Sequence, residues 1–322
     1  MMSFDDIQIV SLSRINLDEE TYRITTDRQK NDISLSISCV GMINPPILLP
    51  RDGAYIIVCG FRRVLAAAQL RWTDLPAKVL DSNISHLACI QLAIADNAGQ
   101  RPLNPVEASR AINLLISSIS DSKELIRISN ALGLPVNDRL IEKMVPVCQL
   151  SLEIQEGILS NDISLSVALM LAAFDPNTAK MFATLFNRLK ISLSKQREII
   201  TLMQEISLRE DRSILSVLKD EAIQSALNDS NLDRARKTDM IRTYLKRKRF
   251  PAITQAKTAY EILLKSLQLG HTAKLIPPPD FEGTHYTLNL SFSNPHDLKK
   301  HIKTIDRLLS HPDFCNLIDS TK

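Results

Sequence analysis

Ala54-Tyr55-Ile56-Ile57-Val58-Cys59-Gly60-Phe61-Arg62-Arg63-Val64-Leu65-Ala66-Ala67-Ala68-Gln69-Leu70 is the stretch on which the reading of this 322-residue chain turns. Residues 55–59 form a short apolar run rich in β-branched side chains, the pattern of a buried strand. Residues 64–70 are strong helix formers. Gly60 stands at the switch, where a side chain would obstruct the approach of a ligand to the backbone. Arg62 and Arg63 therefore fall in the first turn of a helix, among N–H groups that lack an intrahelical acceptor. Such a terminus attracts anions. Cations placed there oppose the helix dipole unless an anion is present, so the arginine pair points to a phosphate-bearing ligand. From these residues alone, the competing reading is two solvated arginines on a common strand-glycine-helix turn.

The flanks continue the pattern. Residues 7–17 alternate enough for a strand, and residues 21–26 hold Tyr22 and Arg23 in a loop or short strand. Residues 32–40 read as a helix with Ile33, Ile37 and Val40 on one face, stopped by Gly41. Asn44-Pro45-Pro46 forces an extended entry into a strand at Ile47. Arg51-Asp52-Gly53 is a hairpin turn. Another strand follows at 75–80, then a helix capped by Ser85 that runs to about residue 95 and ends near Asp96 and Asn97. From Asn104-Pro105 onward the signal is almost wholly helical, with Glu107 as first-turn acid. A helix over 125–132, Gly133 and a helix over 138–145 read as helix, tight turn, helix. Further helices are expected over 151–159, 164–173, 176–189, 194–207 and 211–227.

Between Asn231 and Phe250, eight basic residues oppose two acids. Ile241, Tyr244, Leu245 and Lys248 share a face that can pack, leaving a basic face either simply solvated or in contact with a polyanion. Pro277-Pro278-Pro279 is a stiff spacer. A half-buried strand over 286–292 precedes an amphipathic helix opened by Asn294-Pro295, with Leu298, Ile302, Ile305 and Leu309 expected inward. One strand and one helix make too little core to stand alone, so this tail docks on its own chain or on a second copy.

Bulk properties narrow the classes. The chain is 44% hydrophobic with a net charge of +3 and room for two or three domains. No apolar run approaches a membrane span, and Met1-Met2-Ser3-Phe4-Asp5-Asp6 lacks the pattern of a signal peptide. The five cysteines are far apart, which argues against a zinc knuckle or disulfide framework and suits a reducing cytoplasm. The histidines, without HExxH, read as solvated surface residues.

In this order the motifs resemble the ParB chromosome- and plasmid-partition family, over roughly residues 7–207. Gly41-Met42-Ile43-Asn44-Pro45-Pro46-Ile47 is similar to its glycine-glutamine-proline segment, with Asn44 in place of glutamine. Gly60-Phe61-Arg62-Arg63, with Ala66 and Ala67, is similar to its Gly-Glu-Arg-Arg box, and Asp96-Asn97 falls where the family has Glu-Asn. Leu103-Asn104-Pro105-Val106-Glu107 resembles the start of its helical domain, Leu132-Gly133 its helix-turn-helix, and 163–168 the segment after it.

The resemblance implies an α+β chain: a small mixed α/β domain of the ParB/sulfiredoxin fold over 1–100, then an all-α helix-turn-helix domain over 101–228. The remainder reads as a basic helical linker over 229–276 and a strand-helix element over 277–322 that could dimerise. It implies a DNA clamp, a homodimer gated by CTP with Mg²⁺, working in the cytoplasm on the nucleoid with a ParA-type ATPase and no membrane. Arg23, Gly41, Asn44, Gly60, Arg62, Arg63 and Asn97 would hold the nucleotide, and Asp96 with Asn97 the metal. From the residues alone, Asp96 and Asn97 read instead as a helix C-terminal turn. Asn137, Arg139 and Lys143 on the second helix of the 125–145 pair would meet bases or phosphates, unless that pair is a hairpin in the core. Arg234, Arg236, Arg242, Lys246, Arg247, Lys248 and Arg249 would add contacts of no sequence preference.

The departures matter as well. Phe61 replaces a glutamate associated with CTP turnover and can neither take a proton nor orient water, so the chain would be at most a weak CTPase. Two rivals stand beside the clamp: a ParB-like transcriptional regulator without nucleotide control, and an enzyme of the same fold. Sulfiredoxin chemistry needs a cysteine in the phosphate turn, whereas Cys59 precedes Gly60 at the end of an apolar strand. No base suited to a kinase and no paired carboxylates suited to a nuclease are evident.

Overall fold

In the computed structural model, residues 7–26, 31–283 and 285–319 are described, so Met1–Asp6 of the N-terminal reading lie outside them. The chain divides into two compact units, 1–193 and 194–322. It adopts the α+β class expected from the sequence.

The first unit opens with β1 (Gln8–Ser11), a short 3-10 turn and β2 (Ile15–Asn16). The single strand expected over 7–17 is therefore broken, and its halves serve different neighbours. β1 pairs antiparallel with β5 (Asp74–Val79), while β2 pairs parallel with β4 (Ala54–Cys59). With β3 (Ile47–Arg51), these make a five-stranded sheet of order β1-β5-β3-β4-β2. The β3–β4 hairpin turns at Asp52 and Gly53, whose φ angles of 50° and 80° are those a tight two-residue turn requires. Helix α1 (Asn31–Val40) ends at Gly41, φ 77°. It buries Ile37 but leaves Val40 62% exposed, so the face expected of it is only partly inward. Helix α2 (Phe61–Gln69) follows β4 directly, and α3 (His86–Ala98) is capped by the Ser85 hydroxyl, which accepts from the Ala88 N–H at 3.2 Å.

Helix α4 (Pro105–Ile116) begins with a capping box: Asn104 accepts from the Glu107 N–H at 2.9 Å, and Glu107 accepts from the Asn104 N–H at 3.2 Å. Ala111 and Leu115 of α4 pack with Ile90 and Ile94 of α3 and with Val58 and Val64, so sheet and first helices share one core. Then come α5 (Ser122–Ala131), α6 (Asp138–Met144), α7 (Leu152–Leu159), α8 (Leu165–Leu171) and α9 (Pro176–Leu189).

The second unit holds α10 (Leu193–Glu210), α11 (Ile214–Leu218), α12 (Glu221–Asn228), α13 (Arg234–Arg249) and α14 (Pro251–Leu267). The helix expected over 211–227 is two helices, and the stretch read as a helical linker over 229–276 holds α13, α14 and β6. β6 (Ala273–Ile276) pairs antiparallel with β7 (Thr287–Leu290), followed by α15 (Pro295–Leu309) and α16 (Pro312–Asp319). Tyr260, Leu263 and Leu267 of α14, Leu275 of β6 and Leu308 of α15 form a small core.

The orientation of α15 corrects the sequence reading. Its buried residues are His301 and Leu308, while Leu298, Ile302 and Leu309 are 44%, 56% and 64% exposed. The helix is rotated because His301 reaches inward, its Nε2 lying 2.9 Å from the Ser291 carbonyl oxygen. This histidine is thus structural, not the solvated surface group expected. Leu298, Ile302 and Leu309 are not members of that small core.

Candidate nucleotide-binding cleft and cationic surfaces

The strand-to-helix switch at Gly60 builds the centre of the site. Gly60 is the N-cap of α2 with φ 88° and contributes no side-chain cap. A Cβ there would lie 3.0 Å from Arg63 Nε and 3.0 Å from Pro46 Cβ. The missing side chain is therefore what lets Arg63 fold back over the helix start. From there its Nη1 donates to the Asn44 carbonyl at 2.7 Å and the Pro45 carbonyl at 3.3 Å, and its Nη2 to Asp96 Oδ2 at 3.3 Å. Arg63 thus ties the 44–46 segment, α2 and α3 together.

These groups line a cleft of about 620 Å³. Arg62, Arg63, Lys78 and Arg101 supply its cations, and Asp96 is its acid. Ile24, Ile33, Ile47 and the Asn44-Pro45 segment give it an apolar side. Asp96 is engaged on both oxygens, by Arg63 and by Gln100 Nε2 at 3.3 Å. Asn97 lines the cleft while its Nδ2 donates to the Ala93 carbonyl at 2.8 Å.

Of the residues expected to hold a nucleotide, Asn44, Gly60, Arg62, Arg63 and Asn97 meet here. Gly41 and Arg23 do not line the cleft. Gly41 serves as the terminator of α1, and Arg23 pairs with Glu20 with its side chain 10% exposed. Lys78 and Arg101 lie outside the expected set. Lys78 is the one polar outward position of β5 at that end, a signal that period-2 patterning carries.

Phe61 is 7% exposed and belongs to the domain core. Cys59 is 1% exposed; burial first, then the nearby Asp96 carboxylate, pushes its thiol up from the ordinary value. The thiolate that sulfiredoxin-type chemistry requires is therefore disfavoured here.

A polyphosphate fits this donor set: guanidinium forks, an ammonium and a helix start without a side-chain cap. A divalent cation fits less completely. Asp96 and Asn97 offer one oxygen-bearing side chain each, and no group of three His, Cys, Asp or Glu side chains occurs among the described residues. A hard cation would take its remaining ligands from phosphate and water.

The helix-turn-helix candidates are α5 and α6. The turn is fixed by Gly133, φ 80°, by Leu134, 5% exposed, and by Asn130 Oδ1, which accepts from the Val136 N–H at 3.1 Å. Arg139 and Lys143 are exposed. Asn137 also caps α6, its Oδ1 accepting from the Leu140 N–H at 2.9 Å.

On α13 the basic face is largely paired. Arg242 and Lys246 both hold Glu198, at 2.7 and 2.8 Å, and Arg249 holds Glu205 at 2.6 Å. Lys248 sits between Asp220 at 2.8 Å and Glu210 at 3.1 Å. Burial raises the Glu198 carboxyl, but bonds from Lys246 and Arg242 bring it below its ordinary value. Arg234, Arg236 and Arg247 are exposed and make no ion pair among the described residues.

Residues 2–98 match the family model of the ParB N-terminal domain. A nucleoid occlusion protein of Shouchella clausii is 30% identical over 133 residues, 41% of this chain and 45% of that protein. The chromosome-partitioning protein ParB of Myxococcus xanthus is 29% identical over 134 residues, 38% of this chain and 44% of that protein. The chain thus spans about half the length of the curated relatives it matches. Among solved structures, Caulobacter crescentus ParB complexed to the centromeric parS site is 20% identical, covering 59% of this chain and 96% of that one, with a TM-score of 0.33. The same protein complexed with CTP-gamma-S is 21% identical, covering 56% and 99%, with a TM-score of 0.27. Neither superposition is close enough to support a conclusion about this chain. The match over the first hundred residues is of another kind: that part of the chain is similar to the ParB N-terminal domain.

Proposed function

We propose that this protein is a DNA-binding, partition-type clamp whose first domain binds CTP with Mg²⁺ and turns it over weakly or not at all. One observation carries the reading. The adjacent arginines at the start of α2 line a single cleft together with Lys78 and Arg101, against one carboxylate, Asp96. Cationic side chains gathered at a helix N-terminus oppose the helix dipole, which an anion bound among them would offset. Arg63 already rests on Asp96 and two carbonyl oxygens, the kind of acceptors a phosphate chain would replace. Asn44 and Pro45 would wall the base, and Asp96 with Asn97 would hold the metal, which supplies charge neutralisation between phosphates. Buried Phe61 leaves that position without a group to activate water.

DNA would be met by Arg139 and Lys143 of α6 and by Arg234, Arg236 and Arg247 of α13. Arg242, Lys246 and Arg249 drop from that set because glutamates of α10 hold them. Two copies would join through the exposed stripe of α15. The relatives' names, nucleoid occlusion and chromosome partitioning, are consistent with work on the nucleoid in the cytoplasm.

Calorimetry with Mg·CTP tests the nucleotide half. Binding by the wild type and its loss in the Arg62→Ala, Arg63→Ala double variant are expected, with little phosphate release in either. An absence of binding at millimolar CTP overturns it, and rapid phosphate release contradicts the assigned consequence of Phe61.

A further inference from the structure

Arg101 belongs to two structures at once. It lines the cleft with its side chain 47% exposed, yet its Nη1 and Nη2 donate to both oxygens of Glu107 at 2.8 and 2.7 Å. Glu107 is fully buried. It also accepts from the Thr26 N–H at 3.0 Å, the Thr26 hydroxyl at 3.2 Å and the Asn104 N–H at 3.2 Å. Asn104 Nδ2 donates to the same Thr26 hydroxyl at 2.8 Å, and Arg110 donates to the Thr25 carbonyl at 3.1 Å. The 24–26 strip, whose Ile24 and Thr25 line the cleft, is therefore buckled to the first turn of α4 through one carboxylate. The far side of α4 is bonded in turn to the segment after α6: Asn113 Nδ2 donates to the Val145 carbonyl at 2.9 Å, and the Cys148 N–H donates to Ser109 Oγ at 2.9 Å.

We infer that a polyphosphate in the cleft and the buried Glu107 compete for Arg101, so that filling the site loosens the buckle between the 24–26 strip and α4. The inference rests on the nucleotide reading of the cleft and names its regulation. A phosphate chain carries several negative charges, Glu107 one, and the guanidinium is close enough to the cleft surface to turn toward the ligand. Glu107 would keep its backbone donors but lose its counter-charge. By linkage, whatever the ligand draws from Glu107, Glu107 withholds from the ligand. Glu107 is thus a positioning residue for Arg101, and α4 is the element through which occupancy would reach α6.

The test uses the full chain, with Mg·CTP and inorganic triphosphate as separate probes. Glu107→Gln removes the competing charge while keeping an oxygen acceptor, and should bind either probe tighter by on the order of tenfold. Amide hydrogen exchange at Glu107 and Ala108, whose N–H groups are bonded to Asn104, should accelerate when the wild type is saturated. Exchange in Arg101→Gln should be indifferent to ligand. If the wild type binds a probe but a folded Glu107→Gln binds it no better, or if exchange at those amides is unchanged or slowed, the competition is overturned while the nucleotide reading survives. A wild type that binds neither probe overturns both. Should Glu107→Gln fail to fold, the exchange comparison of wild type with Arg101→Gln decides alone.

Discussion

Replacing Gly60 with alanine perturbs the cleft at its hinge, and the effect can be worked out from two contacts. The residue sits at φ 88°, a conformation that costs an L-residue about 1–2 kcal/mol. The new Cβ would also meet Pro46 Cβ at 3.0 Å and the Arg63 guanidinium at 3.0–3.1 Å. The pyrrolidine ring cannot rotate away, so the 44–46 segment must shift or Arg63 must leave its carbonyls. A hydrogen bond to such a charged donor is worth roughly 1–2 kcal/mol net, which brings the total to about 2–4 kcal/mol. Gly53→Ala is the control, because φ is 80° there but nothing lies within 4 Å of the added methyl, leaving only the backbone cost of about 1–2 kcal/mol. Trp72, the single tryptophan, packs against the core of the first unit and reports its unfolding in urea. With a slope near 2 kcal/mol/M, the midpoint should fall by about 1–2 M for Gly60→Ala and by about half that for Gly53→Ala. Equal shifts for the two variants would refute the idea that Gly60 exists to make room for Arg63.

Three further outcomes are expected. Glu107, held below its ordinary value of 4.5 by bonds from Arg101 and backbone N–H groups that outweigh burial, contributes its stability above that value and loses it as pH falls through the lower folded value. Glu107→Gln should therefore flatten the acid limb of the unfolding curve followed by Trp72 fluorescence, and an unaltered limb would contradict the shift. On α15, Ile302→Glu should raise the dimer dissociation constant by about tenfold or more in sedimentation equilibrium, whereas an unchanged mass distribution would remove this helix from the interface. Neutralising Arg247 and Arg236 should weaken binding to all duplexes and reduce the salt slope by roughly one for each phosphate no longer neutralised. Arg242→Gln should leave the slope alone and lower the stability of the second unit, and a slope change there would show that its pairing with Glu198 yields to DNA.

What the sequence discloses here depends on how local the cause is. The β4–α2 switch is legible because periodicity changes at Gly60, and the start of α4 because Asn104, Pro105 and Glu107 are a complete capping signal within four positions. The cleft is partly legible: Arg62 and Arg63 are adjacent in the chain, while Lys78 and Arg101 arrive from a strand and a loop that only the sheet order brings near. The charge state of α13 is not legible, since its partners Glu198 and Glu205 lie 44 positions away. Nor is the roll of α15. An apolar stripe predicts that something covers it, not what, and it is His301 rather than the outer leucines that faces the small C-terminal core. β6 is four residues with a lysine inside and becomes a strand only against β7.

The distribution of thiols has a practical side. Cys59 and Cys89 are buried, Cys148 and Cys315 are half-covered, and Cys39 on α1 is open to solvent. Helix α1 lies on α2, with the Ser34 hydroxyl 3.2 Å from Gln69 Oε1. A maleimide dye would therefore react first on the helix next to the arginine pair, without any engineered cysteine. Its emission would give an optical readout of ligand arrival in the native chain, and the labelling rate itself would register any movement of α1.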